Sequence, residues 1–202
     1  MQIISMRIIE SIIAATVFVA LCNPAAASAE AGLGYGEILK ISKLRGAPSA
    51  AIVGEKAVKV RLSYNLAQAL RAADEYFIVG KRALQAQGHT YFFLMTQSAS
   101  KTKQGGGFCG AGTEDSISLL ELDPKTNGLS LKDSKLLQSC IESISLSDDT
   151  GRSLRNRLEG LDDLGNLTFD WLDNQRYGSG SRTVHVKNGK LCFGERPNQE
   201  PR

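Results

Sequence analysis

Histidine and aromatic residues are scarce in this chain. Of its 202 residues 6% are aromatic, and the only two histidines are His89 and His185. General-base catalysis and zinc binding both rely heavily on histidine, so this sequence can form few sites of either kind. The spacings C-x-x-C, H-x-x-x-H and G-x-S-x-G are also absent. We therefore expect neither a metal ion nor a cofactor.

The chain also lacks a strong charge of one sign and a long apolar run. Its formal net charge is +3, and basic and acidic residues are interspersed, which does not favour nucleic acid as a partner. The longest apolar run, at 11–21, is about half the roughly 20 residues that a membrane helix requires. We therefore expect no nucleic-acid partner and no membrane span.

The first 29 residues have the pattern of a secretory signal peptide. Arg7 precedes the apolar run, and Ala27-Ser28-Ala29 forms a small-x-small cleavage site. The pattern predicts a mature chain that begins at Glu30 and is exported, to the periplasm or outside the cell. A lipoprotein anchored through Cys22 is the alternative, although Leu21 is larger than the residue that usually precedes a lipidated cysteine.

Removal of 29 residues from 202 leaves 173, which suffices for one domain with its own core. We predict a single β-rich domain at 30–194, followed by a flexible polar tail at 195–202. The segments at 75–98, 115–139 and 183–193 each read as two strands joined by a turn.

The predicted fold class is mainly β, or β-rich α+β. Antiparallel hairpins would form a sandwich or a partly closed, curled sheet with one or two short helices. The helices are expected at 65–73, where apolar residues follow helical spacing after Asn65 as N-cap, and at 152–160. The glycine-rich start of the mature chain is expected to be loosely held.

The last hairpin carries the strongest turn signal, Asn188-Gly189, which favours a two-residue turn. Such a turn fixes the register of the two strands. The predicted facing pairs are Val184–Phe193, His185–Cys192 and Val186–Leu191. This register places Cys192, a candidate thiol, and His185, a candidate base, on one face of the hairpin.

Three cysteines remain after the predicted cleavage, and in an oxidising compartment this number favours one disulfide and one free thiol. If Leu122 faces Leu129 in the 115–139 hairpin, Cys109 and Cys140 fall near its open end, within a residue or so of register. We therefore predict the disulfide Cys109–Cys140. By chain entropy, closing a loop of about 32 residues would stabilise the fold by roughly 3–4 kcal/mol.

The stretch KTKQGGGFCGAGTED at 101–115 surrounds Cys109 with glycines and contains G-x-G-x-x-G. A dinucleotide site needs a helix after such glycines, whereas a strand pattern follows here. We interpret the stretch as a loop beside a disulfide. The alternative is a cysteine nucleophile, which would need a nearby base.

These observations favour an exported, non-enzymatic binding protein, of the inhibitor or immunity-protein kind, acting on a cell-envelope enzyme. The expected partner is another protein or an envelope polymer. The candidate contact residues lie in the loop at 99–114 and are Lys101, Lys103, Phe108 and Glu114. The alternative is an envelope hydrolase that uses Cys109 or Cys192 with a histidine, or a pair of carboxylates.

Overall fold

The computed structural model describes residues 27–34, 36–100, 112–147, 154–159, 161–162, 164 and 167–195. In these ranges two short helices accompany eleven strands. The helices are α1 (Tyr64–Ala72) and α2 (Leu154–Leu158). The strands are β1 (Ala27–Gly34), β2 (Glu37–Leu44), β3 (Ala47–Val53), β4 (Val58–Leu62), β5 (Glu75–Ala86), β6 (His89–Ala99), β7 (Thr113–Asp123), β8 (Gly128–Ser139), β9 (Thr168–Trp171), β10 (Gly180–Lys187) and β11 (Lys190–Glu195).

The predicted mainly β fold is confirmed, and the larger of its two sheets closes into a barrel. The barrel has the strand order β1-β2-β3-β4-β8-β7-β6-β5. Each half is an antiparallel meander, and two parallel pairings, β1 with β5 and β4 with β8, join the halves. Closure leaves no free edge in this sheet. A second sheet has the order β11-β10-β9.

The central residues of β5, β6 and β7 are buried on both faces of the sheet, which explains the apolar runs in these strands. One face points into the barrel, where Ile78, Phe92 and Leu94 belong to a core shared with β1, β2 and α1. The other face is covered by the second sheet and α2, and it contributes Phe77 and Phe93 to a second core. The barrel interior is therefore occupied by packed side chains.

Helix α1 connects the two halves of the barrel and buries Leu66 and Leu70 in its core. Its N-cap is Ser63, whose hydroxyl accepts from the N–H of Leu66 at 3.4 Å, so the prediction of Asn65 was wrong by two residues. At the other end the ammonium of Lys43 donates to the carbonyl of Leu70 at 3.2 Å. A cation there complements the helix dipole.

The register predicted for the last hairpin is confirmed. Val184 faces Phe193, and His185 faces Cys192. Asn188 and Gly189 have φ values of 52° and 67°, the left-handed conformations that a type I′ turn requires at both central positions. The turn signal in the sequence was therefore sufficient to fix this pairing.

Two β-bulges in β8 connect the barrel to the second sheet. Around the bulge at the Leu137 end, the indole Nε1 of Trp171 donates to the carbonyl of Leu137 at 2.8 Å, and the Tyr177 hydroxyl donates to that of Leu136 at 2.5 Å. Beside the other bulge, the N–H of Leu191 donates to Asp133 Oδ2 at 2.9 Å. A bulge leaves some backbone groups without a hydrogen-bond partner in the ladder. Here residues of the second sheet form hydrogen bonds with some of these groups.

A further irregularity, in β5, lets this strand leave β6 and close the barrel against β1. The pairing of β5 with β6 shifts between Val79 and Leu84, and Arg82 pairs with Gly32 of β1. Gly80 starts the shift with φ of 75°, and a Cβ there would lie 2.6 Å from Leu164 Cδ2. The glycine is required both by its conformation and by this close approach.

The N-terminal residues of the barrel correct one expectation from the sequence. The segment after Ala27 is a paired strand rather than a loosely held one, and Ala29 and Ala31 are buried in the barrel. The predicted cleavage after Ala29 falls inside β1. The predicted boundaries at 29/30 and 194/195 stay predictions, and the tail residues at 196–202 lie outside the described ranges.

Candidate functional site

Three of the four predicted contact residues, Lys101, Lys103 and Phe108, lie outside the described residues, as does Cys109. The fourth, Glu114, is in β7 rather than in a loop. Its Oε1 accepts from the Ser100 hydroxyl at 2.5 Å and from the N–H of Ile141 at 3.4 Å. Glu114 therefore connects the ends of β6, β7 and β8.

The register of the β7–β8 hairpin is as predicted at its turn but not at its open end. Leu122 faces Leu129, whereas Glu114 faces Ser139, because the two bulges shift β8 by two residues. The residue opposite Cys140 would then be Thr113, four residues after Cys109. The predicted register therefore fails at Glu114, whereas the position of Cys109 relative to Cys140 stays a prediction because Cys109 lies outside the described residues.

Gly112, three residues after Cys109, lies against Cys140. A Cβ built on Gly112 would be 2.5 Å from Cys140 Cβ and 2.8 Å from its Sγ. The carbonyl of Gly112 accepts from the N–H of Ser100 at 2.9 Å, which holds the backbone there. Since Cys109 itself lies outside the described residues, the pairing Cys109–Cys140 stays a prediction.

Two turns form an exposed surface next to Cys140. We call this surface, made by residues 140–144 and 172–176, the Cys140 corner. Ile141 and Leu172, one in each turn, are 53% and 55% exposed. Arg176 bridges the two turns through an ion pair with Glu142 at 2.8 Å. An open depression of about 850 Å³ lies between the turns.

His185 and Cys192 face each other as predicted, but the imidazole leans along β11. Its Nε2 is 2.8 Å from where a Cβ on Gly194 would be, so the ring covers this glycine. Cys192 is an exposed free thiol. A catalytic thiolate needs its base directed at the sulfur, and this ring orientation does not favour that arrangement.

The second histidine is part of a surface cluster that the sequence did not reveal. His89 Nδ1 lies 2.5 Å from Glu121 Oε1, and Lys132 Nζ lies 2.8 Å from Glu121 Oε2. The hydrogen bond from Lys132, and to a lesser extent that from His89, holds the pKa of the Glu121 carboxyl below its usual value despite partial burial. These residues come from neighbouring strands, so only the pairing of β6, β7 and β8 brings them together.

The hydrolase alternative names no particular pair of carboxylates, so a candidate has to come from the structure. Asp162 is exposed and forms an ion pair with Lys81 at 3.1 Å, and Asp148, Asp149 and Asp163 lie outside the described residues. Among the residues that the structure describes, the one buried acid is Asp115, only 4% exposed. Burial raises the pKa of this carboxyl, which the side-chain amide of Gln97 opposes with a hydrogen bond of 2.9 Å.

Comparison of the chain with models of protein families, with curated proteins and with solved structures finds no match. Within the ranges that the structure describes, neither helix has the length and apolar character needed to cross a membrane.

Proposed function

We propose that this chain is an exported, non-enzymatic binding protein that contacts an envelope protein through the Cys140 corner and the neighbouring loop. The observation that carries the proposal is the exposure of Ile141 and Leu172 beside the Glu142–Arg176 ion pair. Apolar anchors surrounded by charged groups are typical of protein-binding surfaces. An inhibitor or immunity protein of an envelope enzyme would use such a surface.

The rigidity of the corner supports the proposal, because a preorganised surface loses less conformational entropy on binding. Glu114 bonds to Ser100 and Ile141, and Ser139 and Ile144 exchange two backbone hydrogen bonds of 2.9 Å. Cys140 is disulfide-bonded, which supports the proposed bridge to Cys109. Such a bridge would tie the loop that carries Lys101, Lys103 and Phe108 to the corner.

The hydrolase alternative has less support. A bonded sulfur at position 109 is not a nucleophile, and the imidazole of His185 covers Gly194 instead of being directed at Cys192. The binding proposal needs neither a thiolate nor a base.

Photo-crosslinking in the native envelope tests the proposal. A photoreactive residue at position 142, within the corner, should give a crosslinked adduct with one partner protein. Ile141→Ser and Leu172→Ser should each reduce that adduct by tenfold or more, since buried anchors carry most of the binding free energy of an interface. Phe108→Ala and Lys103→Ala should weaken it as well.

Leu44→Ser is the matched control, because Leu44 is an equally apolar side chain, 62% exposed, on a barrel strand that does not contribute to the corner. It should leave the adduct unchanged. An adduct that survives both corner substitutions, or that Leu44→Ser reduces equally, would reject the corner as the contact surface.

A further inference from the structure

A small cavity lies on the outer face of the barrel, between β5, β6, β7 and α2. Its volume is about 190 Å³, space for about six water molecules at the density of liquid water. It is separate from the Cys140 corner and has both polar and apolar walls. The lining residues that matter here are Glu75, Phe77, Met95, Asp115, Leu154 and Arg155.

One wall of the cavity is acidic. Glu75 faces Gln97, and Gln97 in turn faces Asp115, so three polar side chains follow one another across adjacent strands. Gln97 Nε2 donates to Asp115 Oδ1 at 2.9 Å and fixes this carboxyl. A buried carboxylate gains most from a cationic partner, because the low dielectric that penalises the lone charge strengthens the attraction.

The wall formed by α2 carries one guanidinium, that of Arg155, which the Glu75 carboxylate attracts. Arg155 binds Glu159 through Nε and Nη2, both at 3.1 Å, and its Cζ lies 5.5 Å from the centre of the Phe77 ring. These contacts hold the plane of the guanidinium and leave Nη1 to donate. An arginine held in this way is suited to binding a ligand carboxylate.

The floor between the two charged walls is apolar. Phe77 faces Met95 in the next row of the β5–β6 ladder, and Leu154 contributes from α2. A ligand that fits all three surfaces has an ammonium group, a carboxylate and a short hydrocarbon part. We propose that this cavity binds a free α-amino acid with an apolar side chain, its ammonium toward Glu75 and Asp115 and its carboxylate toward Arg155.

This inference goes beyond the proposed function and does not depend on it. The test is isothermal titration of the purified protein with three matched probes. L-leucine carries both charged groups, 3-methylbutylamine lacks the carboxylate, and 4-methylpentanoate lacks the ammonium. L-leucine should bind, and each of the other two should bind at least about tenfold more weakly, because each leaves a charged wall unpaired.

Two substitutions test which charged group of the ligand each wall binds. Asp115→Asn keeps the shape of the side chain and should weaken leucine binding by about tenfold or more. Arg155→Gln should make leucine bind no better than 3-methylbutylamine. Asp173→Asn, in the Cys140 corner, is the control and should leave leucine binding unchanged. If Asp115→Asn does not fold, Glu75→Gln at the exposed end of the same wall provides the equivalent test.

Any of three results would overturn the proposal. The first is that L-leucine does not bind. The second is that the amine or the acid binds as tightly as leucine, which would indicate a site for one charged group only. The third is that leucine binding is unaffected by the substitutions at Asp115 or Glu75 and at Arg155.

Discussion

The indole Nε1 of Trp171 donates a hydrogen bond of 2.8 Å to the carbonyl oxygen of Leu137, at a bulge of β8. Trp171 is the only tryptophan of the chain and is 2% exposed. This hydrogen bond joins the second sheet to the barrel. Trp171 therefore lies where the two sheets meet. Tyr177 makes a similar contact to the next carbonyl, that of Leu136.

Removal of the Tyr177 hydroxyl tests how much this contact stabilises the fold. Tyr177→Phe leaves the carbonyl of Leu136 without its side-chain donor and should lower the free energy of unfolding by about 1 kcal/mol. Urea unfolding followed by Trp171 fluorescence measures the change. Tyr64→Phe, at a tyrosine 74% exposed, is the control and should change stability by less than about 0.5 kcal/mol. Equal effects of the two substitutions would contradict the account.

Gly80 is predicted to be intolerant of a side chain. Gly80→Ala places a Cβ 2.6 Å from Leu164 Cδ2 and requires a φ near 75°, so we expect a loss of about 2 kcal/mol or more in unfolding free energy. Gly88→Ala is the control for conformation alone, since φ is 77° there and nothing lies within 4 Å of the added Cβ. A loss at Gly80 no larger than that at Gly88 would show that the contact with Leu164 is unimportant.

The sequence was informative where local signals decide the structure. Asn188-Gly189 was sufficient for the register of β10 and β11, and helical spacing was sufficient for the existence of α1. The bulges of β8 and the shift at Gly80 depend on contacts with distant segments, and no local pattern announces them. For that reason the predicted hairpin register held at Leu122 and failed at Glu114.

Barrel closure and the acidic cavity wall could not be predicted from the sequence, for a similar reason. Strand β1 is short of the branched and aromatic residues that mark strands, and its alanines are buried only because β2 and β5 pair with it. Asp115 lies near the start of β7, where the sequence shows an ordinary polar strand end. Its burial, and its position two strands from Glu75, exist only in the assembled sheet.

The stability of the protein should depend on pH through Asp115. Burial raises its folded-state pKa above the ordinary aspartate value of 3.8, so its contribution to stability is complete well below that value and is lost as pH rises through the raised pKa. Asp115→Asn removes this dependence. The unfolding free energy of the variant minus that of the unsubstituted protein should therefore be larger at pH 7 than at pH 3.5. Urea unfolding of both proteins at the two pH values measures this difference.

Glu121→Gln should show the opposite sign and serves as the comparison. The folded-state pKa of Glu121 is lowered, with Lys132 as the main cause, so its stabilisation is present at neutral pH and is lost as pH falls through the lowered pKa. This variant should be less stable than the unsubstituted protein at pH 7 and closer to it in acid. The same sign for both variants would contradict the two assignments.

The N-terminus of the exported protein should be Glu30, by mass spectrometry of the mature chain. Cleavage there removes the ladder pairs of Ala27, Ser28 and Ala29 with β2 and leaves five residues of β1. A chain that starts at Ala27 should consequently unfold at higher urea concentration than one that starts at Glu30. A lipid-modified Cys22 as first residue would instead support the anchored alternative.

Peptide mapping of the non-reduced, exported protein tests the central claim most directly. After alkylation of free thiols and digestion with trypsin, the account predicts that peptide 104–125, with Cys109, is joined to peptide 136–152, with Cys140. Because trypsin does not cleave between Arg196 and Pro197, peptide 191–202 should be recovered with Cys192 alkylated. Recovery of separate 104–125 and 136–152 peptides, each alkylated, would contradict the account and make Cys109 an available thiol.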